Sequence, residues 1–103
     1  MRTFISLTGP EDRHNIVQEL TEAEFNAVWD VASRLSTRDT QIRLEKLPKT
    51  KDVIEEFKEF RTKEKYNDWD NRDIIADFVS QHYWKLSWQA MSYLRNEIVN
   101  YID

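Results

Sequence analysis

Apolar residues recur at two different periods along this chain, and the change of period marks its secondary structure. Residues 3–8 and 41–47 are rich in β-branched or alternating apolar side chains, which predicts two short strands. Residues 15–19 offer a further short strand that would pair with the first as a hairpin. Apolar residues three or four positions apart predict four helices, near 22–36, 52–65, 71–84 and 88–102.

The order of these elements predicts an α+β fold. Strands near the N-terminus and helices towards the C-terminus favour a small antiparallel sheet of two or three short strands packed against about four helices, with the C-terminal half all helical. The sequence contains no internal repeat and no linker-like tract. Its length of 103 residues is typical of one domain. We therefore expect residues 1–103 to form a single domain.

Turn and capping residues indicate where the elements begin and end. Residues 9–12, Gly-Pro-Glu-Asp, are a turn signal after the first strand, and residues 37–40 read as a polar link. Side chains able to accept a backbone hydrogen bond are predicted as helix N-caps at Thr21, Asp70 and Ser87. Glu24 and Asp73, each three residues after a cap, are predicted as the reciprocal partners of the first two.

The apolar stripes of the helices predict the core. The residues expected there are Phe25, Val28, Trp29, Ala32, Leu35, Val53, Ile54, Phe57, Phe60, Ile74, Ile75, Phe78, Val79, Leu86, Trp88, Met91, Leu94, Ile98 and Ile102. His82 falls on the apolar arc of the third helix, so we expect a hydrogen-bonded core histidine. Arg95 falls on the apolar arc of the last helix, where it should extend to solvent or pair with an acid from another element.

Composition and spacing argue against several kinds of chemistry. The chain has no Cys and one Gly, which excludes disulfides, thiolate ligands and glycine-rich phosphate loops. The acidic residues 68–77 do not form a calcium loop, because Arg72 and Asp73 occupy the positions that need a ligand and a glycine. Glu56-Phe57-Lys58 lacks the strand-borne acid of a nuclease metal site. We expect no enzymatic activity, no catalytic residue, no metal site and no cofactor.

Aromatic residues concentrate towards the C-terminus, where 8 of the 13 lie in the last 38 positions. If the third helix continues to residue 84, Trp84 shares a face with three aspartates; otherwise residues 83–88 wrap around the core. Trp and Tyr often dominate the energetics of interfaces. The predicted partner-binding residues are Trp69, Asp70, Asp73, Asp77, Trp84 and Tyr93.

The leading functional hypothesis is a non-enzymatic, cytoplasmic protein that binds another macromolecule as a small inhibitor or adaptor. The net charge of −4 is modest, and an acidic stripe can compete for the basic channel of a nucleic-acid-handling enzyme. Small inhibitors encoded by phages and mobile elements have a similar size and composition. No apolar run is long enough to span a membrane, so we expect no membrane partner, and a homodimer is left open.

Direct nucleic-acid binding is the alternative hypothesis. Residues 43–65 carry a net charge of +2 between two ends of −3 each. The residues proposed to contact phosphates are Lys49, Lys51, Lys58, Arg61, Lys63 and Lys65, with Tyr66 and Trp69 beside them to stack on bases. Interleaved acids weigh against this hypothesis, and residues 80–86 lack the glycine typical of a helix-turn-helix corner.

Overall fold

The chain forms two compact units, of which the first ends at Pro48 and the second begins at Lys49. The computed structural model describes residues 2–8, 13–36 and 41–102. The turn predicted at residues 9–12 and the link predicted at 37–40 lie outside the described residues. The single domain over residues 1–103 stays a prediction.

The first unit contains a three-stranded antiparallel sheet and one helix. Its elements are β1 (Arg2–Thr8), β2 (Arg13–Glu19), α1 (Glu22–Leu35) and β3 (Gln41–Leu47). The strand order is β2-β1-β3, so β1 is central and Ile5 lies opposite both Ile16 and Leu44. The strands predicted at residues 3–8 and 41–47 are confirmed as β1 and β3, and the further strand predicted at residues 15–19 is part of β2.

Side-chain hydrogen bonds fix both ends of α1. Thr21 Oγ1 accepts a hydrogen bond from the Glu24 N–H at 3.1 Å, and the Glu24 carboxylate accepts one from the Thr21 N–H at 3.3 Å, which confirms the predicted capping box. At the other end, Ser36 Oγ donates to the Ala32 carbonyl at 2.8 Å and accepts from the Ile42 N–H at 3.2 Å. One hydroxyl therefore joins the end of α1 to the start of β3.

The buried face predicted for α1 is wrong for most of its length. Of its five predicted core residues only Ala32 is buried, while Phe25 and Val28 are half-buried and Trp29 and Leu35 are exposed. The physical reason is the position of the helix, which packs against the edge strand β3. A stripe this wide needs more of a sheet than one edge strand to cover it.

The second unit is helical, as predicted for the C-terminal half. It comprises α2 (Thr50–Phe60), a 3₁₀ turn (Glu64–Tyr66), α3 (Asn71–His82) and α4 (Trp88–Ile102). Together with the sheet, this confirms the small α+β fold. Within the described parts of the chain, no helix has the length and apolar character needed to cross a membrane.

A cluster of packed aromatic rings lies in the core of the second unit. The Phe78 ring lies 5.5 Å from that of Phe57 and 5.2 Å from that of Phe60. The buried apolar residues of this unit are Val53, Ile54, Phe57, Phe60, Tyr66, Ile74, Ile75, Phe78, Val79, Ala90, Leu94 and Ile98. The core predicted for α2 and α3 is therefore confirmed, whereas Leu86, Met91 and Ile102 are only half-buried.

Two helices end earlier than predicted. α2 stops at Phe60 instead of residue 65, because the Thr62 N–H and hydroxyl both donate to the Glu59 carbonyl and tighten the chain into a turn. α3 stops at His82 instead of residue 84, because Tyr83 has non-helical backbone angles of φ −129° and ψ 28°.

In the second unit, two residues predicted to be core are exposed. Trp88 is 67% exposed because it is the first residue of α4, directly after the predicted N-cap Ser87, whose Oγ accepts from the Ala90 N–H at 3.2 Å. The His82 side chain is 41% exposed. Its ring packs against Phe78 at 4.7 Å between centroids, so the imidazole covers the edge of the core instead of lying inside it.

Replacing Thr21 with alanine should lower the free energy of unfolding by about 1 kcal/mol, because the Glu24 N–H loses its acceptor. Urea denaturation followed by circular dichroism measures the change. Ser33→Ala, on the exposed surface of the same helix, is the matched control and should stay within about 0.5 kcal/mol of the unchanged chain. Equal effects of the two substitutions would show that the capping box contributes nothing.

Candidate functional site

An acidic groove of about 730 Å³ runs along α3, from Asp73 to Ser80, and the loop before it. We call it the Asp groove, and its lining residues are Asp68, Trp69, Asp70, Asp73, Ala76, Asp77 and Ser80. Four of these residues come from α3, and they are Asp73 and the residues three, four and seven positions after it, which places them on one face of the helix. The groove combines four carboxylates with one large aromatic side chain, and no described residue in its lining is basic.

Three of these carboxylates have no partner within the described residues. Asp68, Asp70 and Asp73 make no side-chain hydrogen bond and no ion pair there. Asp70 occupies the N-cap position of α3, but its side chain makes no capping hydrogen bond, so the predicted reciprocal cap with Asp73 is wrong. The positive end of the helix dipole favours negative charge near the first turn. Among the described residues, the charges of Lys63 and Lys65 act on Asp77, but no cation forms an ion pair with Asp68, Asp70 or Asp73.

The fourth carboxylate is held by a buried tyrosine. Tyr66 is 2% exposed, and its hydroxyl donates a hydrogen bond to Asp77 Oδ2. This hydrogen bond, followed by one from the Gln81 side chain, holds the pKa of the Asp77 carboxyl below its ordinary value of 3.8. Lys65 lies over the Tyr66 ring at 4.8 Å, and a hydrogen bond with Tyr66 raises the pKa of its ammonium group. Asp77 is therefore ionised and fixed in position.

The same tyrosine orients Trp69. The two rings meet edge to face, with 4.9 Å between centroids and an interplanar angle of 89°. Trp69 is nevertheless 44% exposed, so much of its indole is open to a partner. An aromatic wall that is already oriented loses little side-chain entropy on binding.

The structure brings together four of the six predicted partner-binding residues. Trp69, Asp70, Asp73 and Asp77 all line the Asp groove, whereas Trp84 and Tyr93 do not. The prediction that Trp84 continues the acidic face of α3 is wrong, because the helix ends two residues before it. Trp84 is 66% exposed in the turn before α4, with Lys85 Nζ 5.4 Å from its ring, and Tyr93 is half-buried on α4.

Sequence reasoning missed three lining residues and one supporting residue. The sequence draws attention to Asp68 only as a candidate calcium ligand, and no motif draws attention to Ala76 or Ser80. The helical spacing from Asp73 would have placed the last two on the same face. Tyr66 was expected to stack on bases, which its burial excludes.

The residues proposed to contact nucleic acid are exposed, but several lie over aromatic rings of their own unit. Lys58 Nζ is 5.1 Å from the ring centroid of Tyr101 and donates to its hydroxyl at 3.1 Å. Lys63 Nζ is 4.6 Å from the ring of Phe60. Arg61 and Lys65 make similar contacts with Phe57 and Tyr66, whereas Lys49 and Lys51 make no such contact with any described ring.

The described residues contain no group of three or more His, Asp or Glu side chains placed to hold a metal ion. No protein-family model, no curated protein and no solved structure matches this chain. Any assignment of function therefore depends on the chemistry of the surface itself. That chemistry is an oriented indole beside unpaired carboxylates.

Tyr66→Phe should raise the pKa of Asp77 towards 3.8, because the hydroxyl that stabilises its carboxylate is lost. The pKa of Asp77 is lower in the folded state than in the unfolded state, so ionised Asp77 stabilises the fold at any pH above its unfolded-state pKa. This contribution is lost as the pH falls through the folded-state pKa. The variant should therefore lose less stability on acidification below pH 3.8. NMR titration of the carboxyl carbons and urea denaturation at each pH measure both effects.

Tyr101→Phe is the control for this experiment. The hydroxyl of Tyr101 accepts a hydrogen bond from Lys58, whereas that of Tyr66 donates one to a carboxylate. The control variant should leave the Asp77 titration unchanged. An unaltered Asp77 pKa in Tyr66→Phe would contradict the assigned hydrogen bond.

Proposed function

We propose that this chain is a non-enzymatic protein that binds a basic surface of another protein through the Asp groove, as a small inhibitor or adaptor. The observation that carries the proposal is the grouping of Trp69 with the unpaired carboxylates of Asp68, Asp70 and Asp73. Unpaired carboxylates attract cationic groups, and an indole face binds Arg and Lys side chains by cation–π contact.

The oriented wall of the groove supports the same proposal. Trp69 is held by Tyr66, and Tyr66 is held by its hydrogen bond to Asp77. Arginine suits such a site best, because its planar guanidinium can stack on the indole while it donates to two carboxylate oxygens. Basic channels that receive nucleic-acid phosphates carry many such side chains, which makes a nucleic-acid-handling enzyme a fitting partner.

Direct nucleic-acid binding has less support. Phosphates would be repelled by the Asp groove, which begins only three residues after Lys65. Tyr66 is buried, and Trp69 lies among carboxylates, so neither ring is placed to stack on bases beside a phosphate backbone. We therefore make the protein-binding proposal alone.

The triple variant D68N/D70N/D73N should bind a basic probe more weakly than the unchanged chain. With nona-arginine as the probe, three exposed ion pairs of roughly 0.5 kcal/mol each predict a loss of about tenfold in affinity. Isothermal titration calorimetry at low salt measures it. The matched control, E55Q/E59Q/E64Q, removes the same charge from exposed positions outside the groove and should retain most of the affinity.

Equal losses in the two triple variants would mean that only net charge matters, which would contradict the proposal. Trp69→Ala should also weaken binding, whereas Trp84→Ala should not, since Trp84 is more exposed but lies outside the groove. In affinity capture from the source cell, a basic protein retained by the control but lost from the groove variant would support the proposal. A partner retained equally by both would contradict it.

A further inference from the structure

A second groove, of about 430 Å³, lies between α3 and α4 and has the opposite charge. We call it the Arg groove, and its lining residues are Arg72, Ile75, Ala76, Arg95, Asn96 and Val99. Two guanidinium groups and one amide surround a floor of three aliphatic side chains. No carboxylate of the described residues lines it.

Arg95 is held in place without an acidic partner. Its guanidinium carbon lies 5.0 Å from the centroid of the Trp88 ring, and its Nη2 donates to Ser92 Oγ at 2.9 Å. These two contacts fix the group on α4 while leaving most of its five N–H donors unused. Of the two outcomes expected for Arg95, extension to solvent or pairing with an acid from another element, the acidic partner is absent among the described residues. The arginine is therefore oriented but not neutralised.

Arg72 supplies the second charge from α3. It is exposed and makes no hydrogen bond, ion pair or ring contact with any described residue. Of the aliphatic side chains that line the groove with the two arginines, Ile75 is buried and Ala76 and Val99 are half-buried, so this apolar floor is already formed. A ligand for this groove needs an anionic head on a short apolar stem.

We propose that the Arg groove binds a carboxylate carried by a peptide segment of a partner protein. Guanidinium groups pair with carboxylates in bidentate geometry, and the aliphatic floor accepts the stem of the side chain or of the chain end. An extended polyanion such as nucleic acid fits poorly. Ala76 lines both grooves, so they are adjacent, and a second phosphate of the same strand would approach the carboxylates of the Asp groove. This site differs from the one assigned above, so either can fail without the other.

The test is an NMR titration of the ¹⁵N-labelled chain with two peptides of five residues. One has blocked ends and a central glutamate between leucines; the other has a central glutamine and a free C-terminal carboxylate. Shifts should concentrate at residues 72–76 and 95–99, and the peptide that binds more tightly identifies the source of the carboxylate. The variant R72Q/R95Q should weaken that binding by about fivefold or more.

Two matched pairs of variants keep the test specific. K85Q/R61Q removes the same charge from exposed positions outside the groove and should bind the peptide normally. Trp88→Ala, which releases Arg95, should weaken binding, whereas Trp84→Ala, at an equally exposed tryptophan, should not. The amide spectrum of each variant shows directly that it is folded.

Three results would overturn the proposal. The first is the absence of localised shifts with either peptide, and the second is unchanged binding by R72Q/R95Q. The third is tighter binding of inorganic phosphate or of a short oligonucleotide than of both peptides, which would assign the groove to phosphate instead.

Discussion

The packing of Tyr66 against the phenylalanines of the second unit is the constraint on which its surface depends. The Tyr66 ring lies 4.9 Å from that of Phe60, which in turn packs on Phe78, so the turn between α2 and α3 is anchored in the core. From that buried position Tyr66 reaches outward twice, to Trp69 through its ring and to Asp77 through its hydroxyl. The geometry of the Asp groove is thereby set by the core beneath it.

α3 carries acidic side chains on one side and a basic side chain on another, and the two sides line different grooves. Successive residues of a helix are about 100° apart, so Arg72 and Asp73, though adjacent in sequence, line different grooves. Ala76 belongs to both linings because its small side chain lies between them. A partner that met both grooves would need its own cation and carboxylate in matching order, which would fix its orientation as well as its affinity.

Most of the fold could be predicted from the sequence because capping residues and apolar spacing act locally. Periodicity shows which residues share a face, but it does not show whether another element covers that face, so Leu35 and Trp88 were wrongly placed in the core. No glycine or proline follows His82 to mark the end of α3, so the sequence predicts a helix that continues to Trp84 and wrongly places this residue on its acidic face. The Arg groove could not be predicted at all, because Arg72 and Arg95 line one groove only through the packing of α3 against α4.

All four tryptophans of this chain are exposed: Trp29, Trp69, Trp84 and Trp88. Indole emission depends on contact with water, and here water already reaches every indole in the folded state. Unfolding should consequently change the tryptophan emission of this protein less than that of a protein with buried indoles, and a partner that covers one of these rings should shift the emission in the opposite direction, to shorter wavelength. Its tryptophan emission is thus a natural reporter of association, and tyrosine or far-ultraviolet signals are the better measure of folding.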